Sequence, residues 1–184
     1  MAIGAAILMW FVAGRAPSAP TTPFLAPAPD YNGHPAIDGI QCEDTERVAY
    51  HIHAHLAVFV DGRSRGVPEG IGIAAPRRSQ NTSSGPFVVA GGCFYWLHTH
   101  DRTGLIHIES PAQQAYTLGN FFDVWQEPLS PKQLGPNSGS IIAYVDGQRH
   151  TGDPRQIQLA AHSVIQLDLG QDVPPAAFTF PPGE

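Results

Sequence analysis

Three short motifs place metal-ligating side chains at the same spacing. His51, His53 and His55 stand at i, i+2 and i+4 in HIHAHL; His98 and His100 stand at i and i+2 in HTHD; His107 and Glu109 do so in HIE. Alternate residues of a β-strand share a face, so each motif aims its side chains one way. Imidazoles crowded on one face pack poorly and repel once ionised. A first-row divalent ion takes three or four N or O donors at about 2.0–2.2 Å. His-x-His supplies two of them from same-side positions. The pattern nominates His53, His55, His98, His100 and His107 as metal ligands. His51 is a weaker candidate at the strand start, and Asp101 and Glu109 are candidates to orient an imidazole N–H. His34 in a Pro-rich stretch, His150 in a turn and His162 before a strand are read as structural or surface residues.

The donor set bears on the metal. The only methionines are Met1 and Met9, which disfavours a Cu(I) carrier built on thioethers. An all-imidazole site suits Zn(II) or Cu(II), and also Fe(II) or Mn(II). Two cysteines are present, Cys42 and Cys93. An even count in an exported chain reads as a disulfide. The rival readings are a thiolate ligand from Cys93, five residues before His98, and free thiols.

The elements that must carry these residues are short strands. Residues 48–60, VAYHIHAHLAVFV, alternate with β-branched and aromatic residues and end at Asp61-Gly62, a hairpin signal. Residues 93–100 and 105–109 read as two strands joined by the turn Asp101-Arg102-Thr103-Gly104. That loop sets His98 opposite His107 and His100 opposite Leu105. Residues 117–127 carry an amphipathic helix: Thr117 can cap it, and Leu118, Phe121, Phe122 and Trp125 share one face. Segments 140–146, 156–159 and 163–169 are closing strands. A weak repeat links 58–73 with 143–159: Val-Asp-Gly, then a proline, then apolar residues three and five positions beyond it. These features predict a mainly β fold, a sandwich or small barrel with one short helix.

Composition narrows the function. The chain has 184 residues, 19 Gly and 18 Pro, 14% charged residues and a formal net charge of −6. The cations are scattered, without a basic stripe interleaved with aromatics, so nucleic acid is not an expected partner. The apolar start MAIGAAILMWFVA is short for a membrane span and suits a signal peptide or a short anchor over residues 1–16. Residues 17–38 read as an extended, solvated Pro-rich linker, and 39–184 as one β-rich domain. The expected location is extracytoplasmic: secreted, periplasmic or tethered to a membrane and facing outward.

CFYWLHTHDRTGLIHIESP, with HIHAHLAVFVDG upstream and TLGNFFDVW downstream, resembles a group of uncharacterised exported or membrane-anchored proteins of bacteria and archaea. The resemblance covers roughly residues 40–170 and implies an exported, histidine-rich domain. A looser similarity is to cupins, β-barrels that hold a metal with His-x-His, a Glu and a later His. Here Glu109 follows His98 and His100 at a longer spacing than cupins use.

Three function classes fit these residues. The first is an exported transition-metal-binding protein: a carrier, a scavenger or a structural site. The second is a metalloenzyme, hydrolytic or oxygen-activating, with an open metal position and Glu109 or Asp101 as acid/base. The third is an extracellular interaction domain with structural or pH-sensing histidines. No serine-nucleophile elbow, phosphate loop or HExxH helix is present, so metal-independent hydrolysis and nucleotide chemistry lack support.

Overall fold

The computed structural model describes residues 22–83 and 85–183. The expected leader at 1–16 lies outside the described residues. The strands are β1 (Cys42–Glu43), β2 (Tyr50–Val60), β3 (Arg63–Arg65), β4 (Arg78–Thr82), β5 (Gly85–Ala90), β6 (Phe94–Tyr95), β7 (Leu97–His98), β8 (Leu105–Ser110), β9 (Leu129–Ser130), β10 (Gln133–Leu134), β11 (Asn137–Ser138), β12 (Ile141–Val145), β13 (Gln148–His150) and β14 (Val164–Leu169). Among the described residues, one α-helix, α1 (Leu118–Trp125), and a 3-10 turn at Pro154–Gln156 complete the elements. The central sheet runs β13-β12-β14-β2-β8-β7, with β3 also paired to β2. Among the described residues no sheet closes into a barrel, and the arrangement is consistent with a β-sandwich.

Alternation in β2 decides which face is apolar. Ala54, Leu56, Val58 and Val60 are buried. They share a core with Ile106 and Ile108 of β8, Ile165 and Leu167 of β14, and the α1 residues Leu118, Phe121, Phe122 and Trp125. Each such large apolar side chain contributes about 1.5–3 kcal/mol on burial. The helix starts where Thr117 Oγ1 accepts the Asn120 N–H at 3.3 Å and Asn120 Oδ1 accepts the Thr117 N–H at 3.0 Å, a reciprocal box. It ends at Gln126, in the left-handed region at φ 59°, just ahead of Pro128.

The internal repeat is structural. Asp61-Gly62 (φ 50° and 72°) and Asp146-Gly147 (φ 50° and 76°) are both two-residue turns of the I′ kind. Beyond Pro68 and Pro154, the apolar pairs Ile71/Ile73 and Ile157/Leu159 are all buried. The first arm accepts the Tyr95 N–H at Gly72 O (2.7 Å) and the Thr99 N–H at Ile71 O (2.9 Å). The second accepts the Leu118 N–H at Ile157 O (2.7 Å). The strand expected at 156–159 is therefore an arm that follows the 3-10 turn and makes a single bridge, Thr117 with Gln158.

The Pro-rich segment departs from expectation. Leu25, Ala26 and Tyr31 are buried. The Leu25 N–H donates to Gly66 O at 2.9 Å, the Tyr31 hydroxyl to Val124 O at 2.8 Å, and Trp125 Nε1 to Pro27 O at 3.0 Å. From about Phe24 onward it belongs to the folded body and is not a solvated linker. Apolar side chains between the prolines supply the burial, and proline leaves carbonyls free to accept. Among the described residues no helix is long and apolar enough to cross a membrane.

Candidate metal centre

The registers of three neighbouring strands bring the histidine motifs together. In the β2–β8 ladder His53 lies opposite His107 and His51 opposite Glu109; in the β7–β8 ladder His98 lies opposite His107. His53, His107 and His98 thus form one lateral row across the sheet, on the face away from the apolar core. Directly opposed residues hold their Cβ atoms about 4.5–5.5 Å apart, close enough for imidazoles to touch. The expected pairing of His98 with His107 is present; His100 lies beyond the end of β7.

Two segments fix the far side. The Cys42–Cys93 disulfide joins the chain ahead of β2 to the chain ahead of β6, and β1 pairs with β6. Such a bond suggests an oxidising, extracytoplasmic environment. The β4–β5 hairpin lies against His100, whose ring stacks on Phe87 with centroids 4.7 Å apart and planes at 4°. Gly72 in the first arm has φ 71°, and a Cβ there would lie 2.1 Å from Leu97 O and 2.8 Å from His98 Cβ. Only glycine lets the arm press this closely on the strand that carries His98.

The donor atoms converge. His51 Nε2 is 2.9 Å from His53 Nε2, and His53 Nε2 is 3.0 Å from His107 Nδ1. His98 Nε2 is 3.1 Å from His100 Nε2. Glu109 Oε1 lies 3.1 Å from His51 Nε2, 3.4 Å from His107 Nδ1 and 3.9 Å from His98 Nε2. A tetrahedral or octahedral ion with bonds of about 2.0–2.2 Å holds adjacent donors about 2.8–3.6 Å apart, and all but the last of these spacings fall in that range. His51, His53, His107 and Glu109 form one group whose donors lie within 4.8 Å of one another; His98, His100, His107 and Glu109 form a second. This buried histidine and glutamate cluster could hold a divalent transition metal.

Protonation favours the same outcome. His98 Nδ1 donates to Tyr95 O at 2.9 Å and His100 Nδ1 to Val88 O at 2.5 Å. A carbonyl only accepts, so each Nδ1 carries a proton, and in the neutral ring each Nε2 then presents a lone pair. Burial, then the His107 and His100 charges, hold His98 well below the usual imidazole range. Burial also lowers His107 to about 2, helped by His100 and His53. His53 falls to about 4, again mainly through burial. Neutral imidazole is the form that coordinates. Glu109 Oε2 is buried and accepts no hydrogen bond.

Two nominated residues are not drawn into the cluster. His55 faces Leu105 at the end of the ladder, its Nε2 is 3.0 Å from Thr103 O, and its ring stacks on Phe178 at 3.7 Å. One step of two residues along a strand is about 6.6 Å, and that step carries His55 past the cluster. Asp101 accepts from the Thr103 N–H (3.0 Å) and hydroxyl (2.6 Å), and so staples its own turn. His51 and Glu109, expected in lesser roles, lie inside the groups. His34, His150 and His162 lie outside both groups. Sequence reasoning passed over Glu46, whose Oε1 is 3.3 Å from His100 Nε2 at the solvent edge. Nothing in its sequence neighbourhood singles it out; only the disulfide and the β2 register bring it there.

No protein-family model matches the chain, and no curated protein or solved structure matches it either.

Proposed function

We propose that this chain is an exported protein that binds a transition-metal ion, Zn(II) or Cu(II) above all, through His51, His53, His98, His100, His107 and Glu109. One observation carries the reading. The Nε2 atoms of His98 and His100 stand 3.1 Å apart while both Nδ1 protons are committed to main-chain carbonyls. Two lone pairs at that distance repel unless a cation lies between them. Burial disfavours a charged His98, and a metal ion between the two nitrogens would satisfy both lone pairs. The donor set is rich enough to saturate an ion, which favours a carrier, scavenger or structural site over catalysis. The Cys42–Cys93 bond supports export.

A second reading rests on Glu46. Its half-exposed carboxylate is held above the ordinary carboxylate range by burial and by Glu109. A carboxylate at the solvent edge, beside a candidate metal ligand, is placed to give or take a proton there, which is the metalloenzyme alternative.

The test is Co(II) titration of the untagged protein, followed by visible absorption. Tight binding with ligand-field bands is expected, and His98→Gln should weaken binding at the His98/His100 pair by orders of magnitude. A folded protein that takes up no Co(II), Zn(II) or Cu(II) would overturn the proposal.

A further inference from the structure

We infer that the cluster holds two metal ions side by side, with Glu109 bridging them. His51 and His53 complete one ligand set, His98 and His100 the other, and His107 lies between them. This rests on the metal-binding reading above and sharpens it.

Six donors on one octahedral ion would all lie within about 4.4 Å of one another, twice the longest bond. The six donors here instead sort into two groups of four, each within 4.8 Å, and both groups contain His107 and Glu109. A single centre would gather them into one group.

Of the two shared residues, Glu109 is the one able to serve two ions, while a neutral His107 offers a lone pair to one of them. A carboxylate has two oxygens. Glu109 Oε1 lies between the two sets, 3.1 Å from His51 Nε2 and 3.9 Å from His98 Nε2, and Oε2 is buried with no hydrogen bond to satisfy it. A buried carboxylate oxygen without a donor is costly, and a second cation satisfies it. His107 sits in the middle of the row, its ring centroid 4.5 Å from that of His53 and 5.3 Å from that of His98.

Charge supports the pair. Two divalent ions close together repel, and anionic ligands between and beside them offset this. Glu109 provides one such charge at the centre. Glu46, 3.3 Å from His100 Nε2, provides another beside the second set.

The experiment is metal stoichiometry on the full untagged chain saturated with Zn(II), with unbound ion removed. Two ions per chain are expected in the wild type. His51→Gln and His100→Gln, at the solvent side of each set, should each retain one ion. Their metal-free unfolding midpoints verify that both fold. Cu(II)-loaded wild type should show electron paramagnetic resonance of a spin-coupled pair, which Glu109→Gln should abolish. One ion per chain in the wild type, or loss of all metal from either histidine variant, would overturn the two-ion arrangement while leaving metal binding intact. A folded wild type that binds no ion would overturn the metal-binding reading, and the pair with it.

Discussion

Glu46 places a carboxylate oxygen 3.3 Å from His100 Nε2. The two residues meet because the Cys42–Cys93 bond anchors the segment leading into β2 beside the chain leading to His100. A negative charge there stabilises a cation bound at His100 and helps to close the solvent side of the site.

Glu46→Gln keeps the shape of the side chain and removes the charge. Metal affinity should fall about tenfold, in the range found for outer partners of metal ligands. Competition titration with a chromophoric chelator measures this. Unchanged affinity would mean that Glu46 is an ordinary surface carboxylate.

The histidines should divide into those that matter and those that do not. His98→Gln removes a donor of the His98/His100 set and should weaken binding at that set by orders of magnitude. His55→Gln should leave affinity within a factor of about two, because the His55 ring is engaged by Thr103 O and Phe178. Zn(II) affinity of the two variants checks the division; a His55 variant as weak as the His98 variant would restore His55 to the ligand set.

That division marks how far the sequence could be read. The i, i+2 spacing of His51, His53, His98, His100, His107 and Glu109 gives their common faces, because strand alternation is a local property. The Asp101–Gly104 turn gives the His98–His107 pairing for the same reason. His55 obeys the same alternation, and only its position along the ladder excludes it. That position depends on the β2–β8 register, a long-range property set by packing. The β4–β5 hairpin and the parallel pairing of β2 with β14 were likewise invisible, since β4 is polar throughout and parallel partners are distant in sequence. Composition reports average solvation, not the individual burial of Leu25 and Tyr31, so the packing of the Pro-rich segment is not legible in it.

The metal-free protein should lose stability in acid. An unfolded histidine titrates near 6.5, while His53 is lowered to about 4 and His107 to about 2 in the fold. Between those values the unfolded chain binds more protons, so stability is full above about pH 6.5 and declines as pH falls through 4. Urea midpoints of chelator-treated protein at pH 7.5, 5.5 and 4.5 should fall in that order. A midpoint that is flat, or that rises in acid, would contradict burial of neutral imidazoles.

The disulfide closes a loop with a sequence separation of 51. In the chain-entropy model its removal costs about 4 kcal/mol. Cys42→Ser with Cys93→Ser should lower the denaturation free energy by about that amount. It should also weaken metal binding, since the bond holds the Glu46 segment over His100. Equal stability with and without reductant would show that the bond does not hold the fold.

X-ray absorption spectroscopy of the untagged, Zn(II)-loaded protein tests the metal centre most directly. The expected spectrum has nitrogen and oxygen neighbours at about 2.0–2.1 Å, outer-shell scattering from at least two imidazoles per ion, and no sulfur. A spectrum without imidazole scattering, or one with a sulfur shell, would contradict a centre built from these histidines and Glu109.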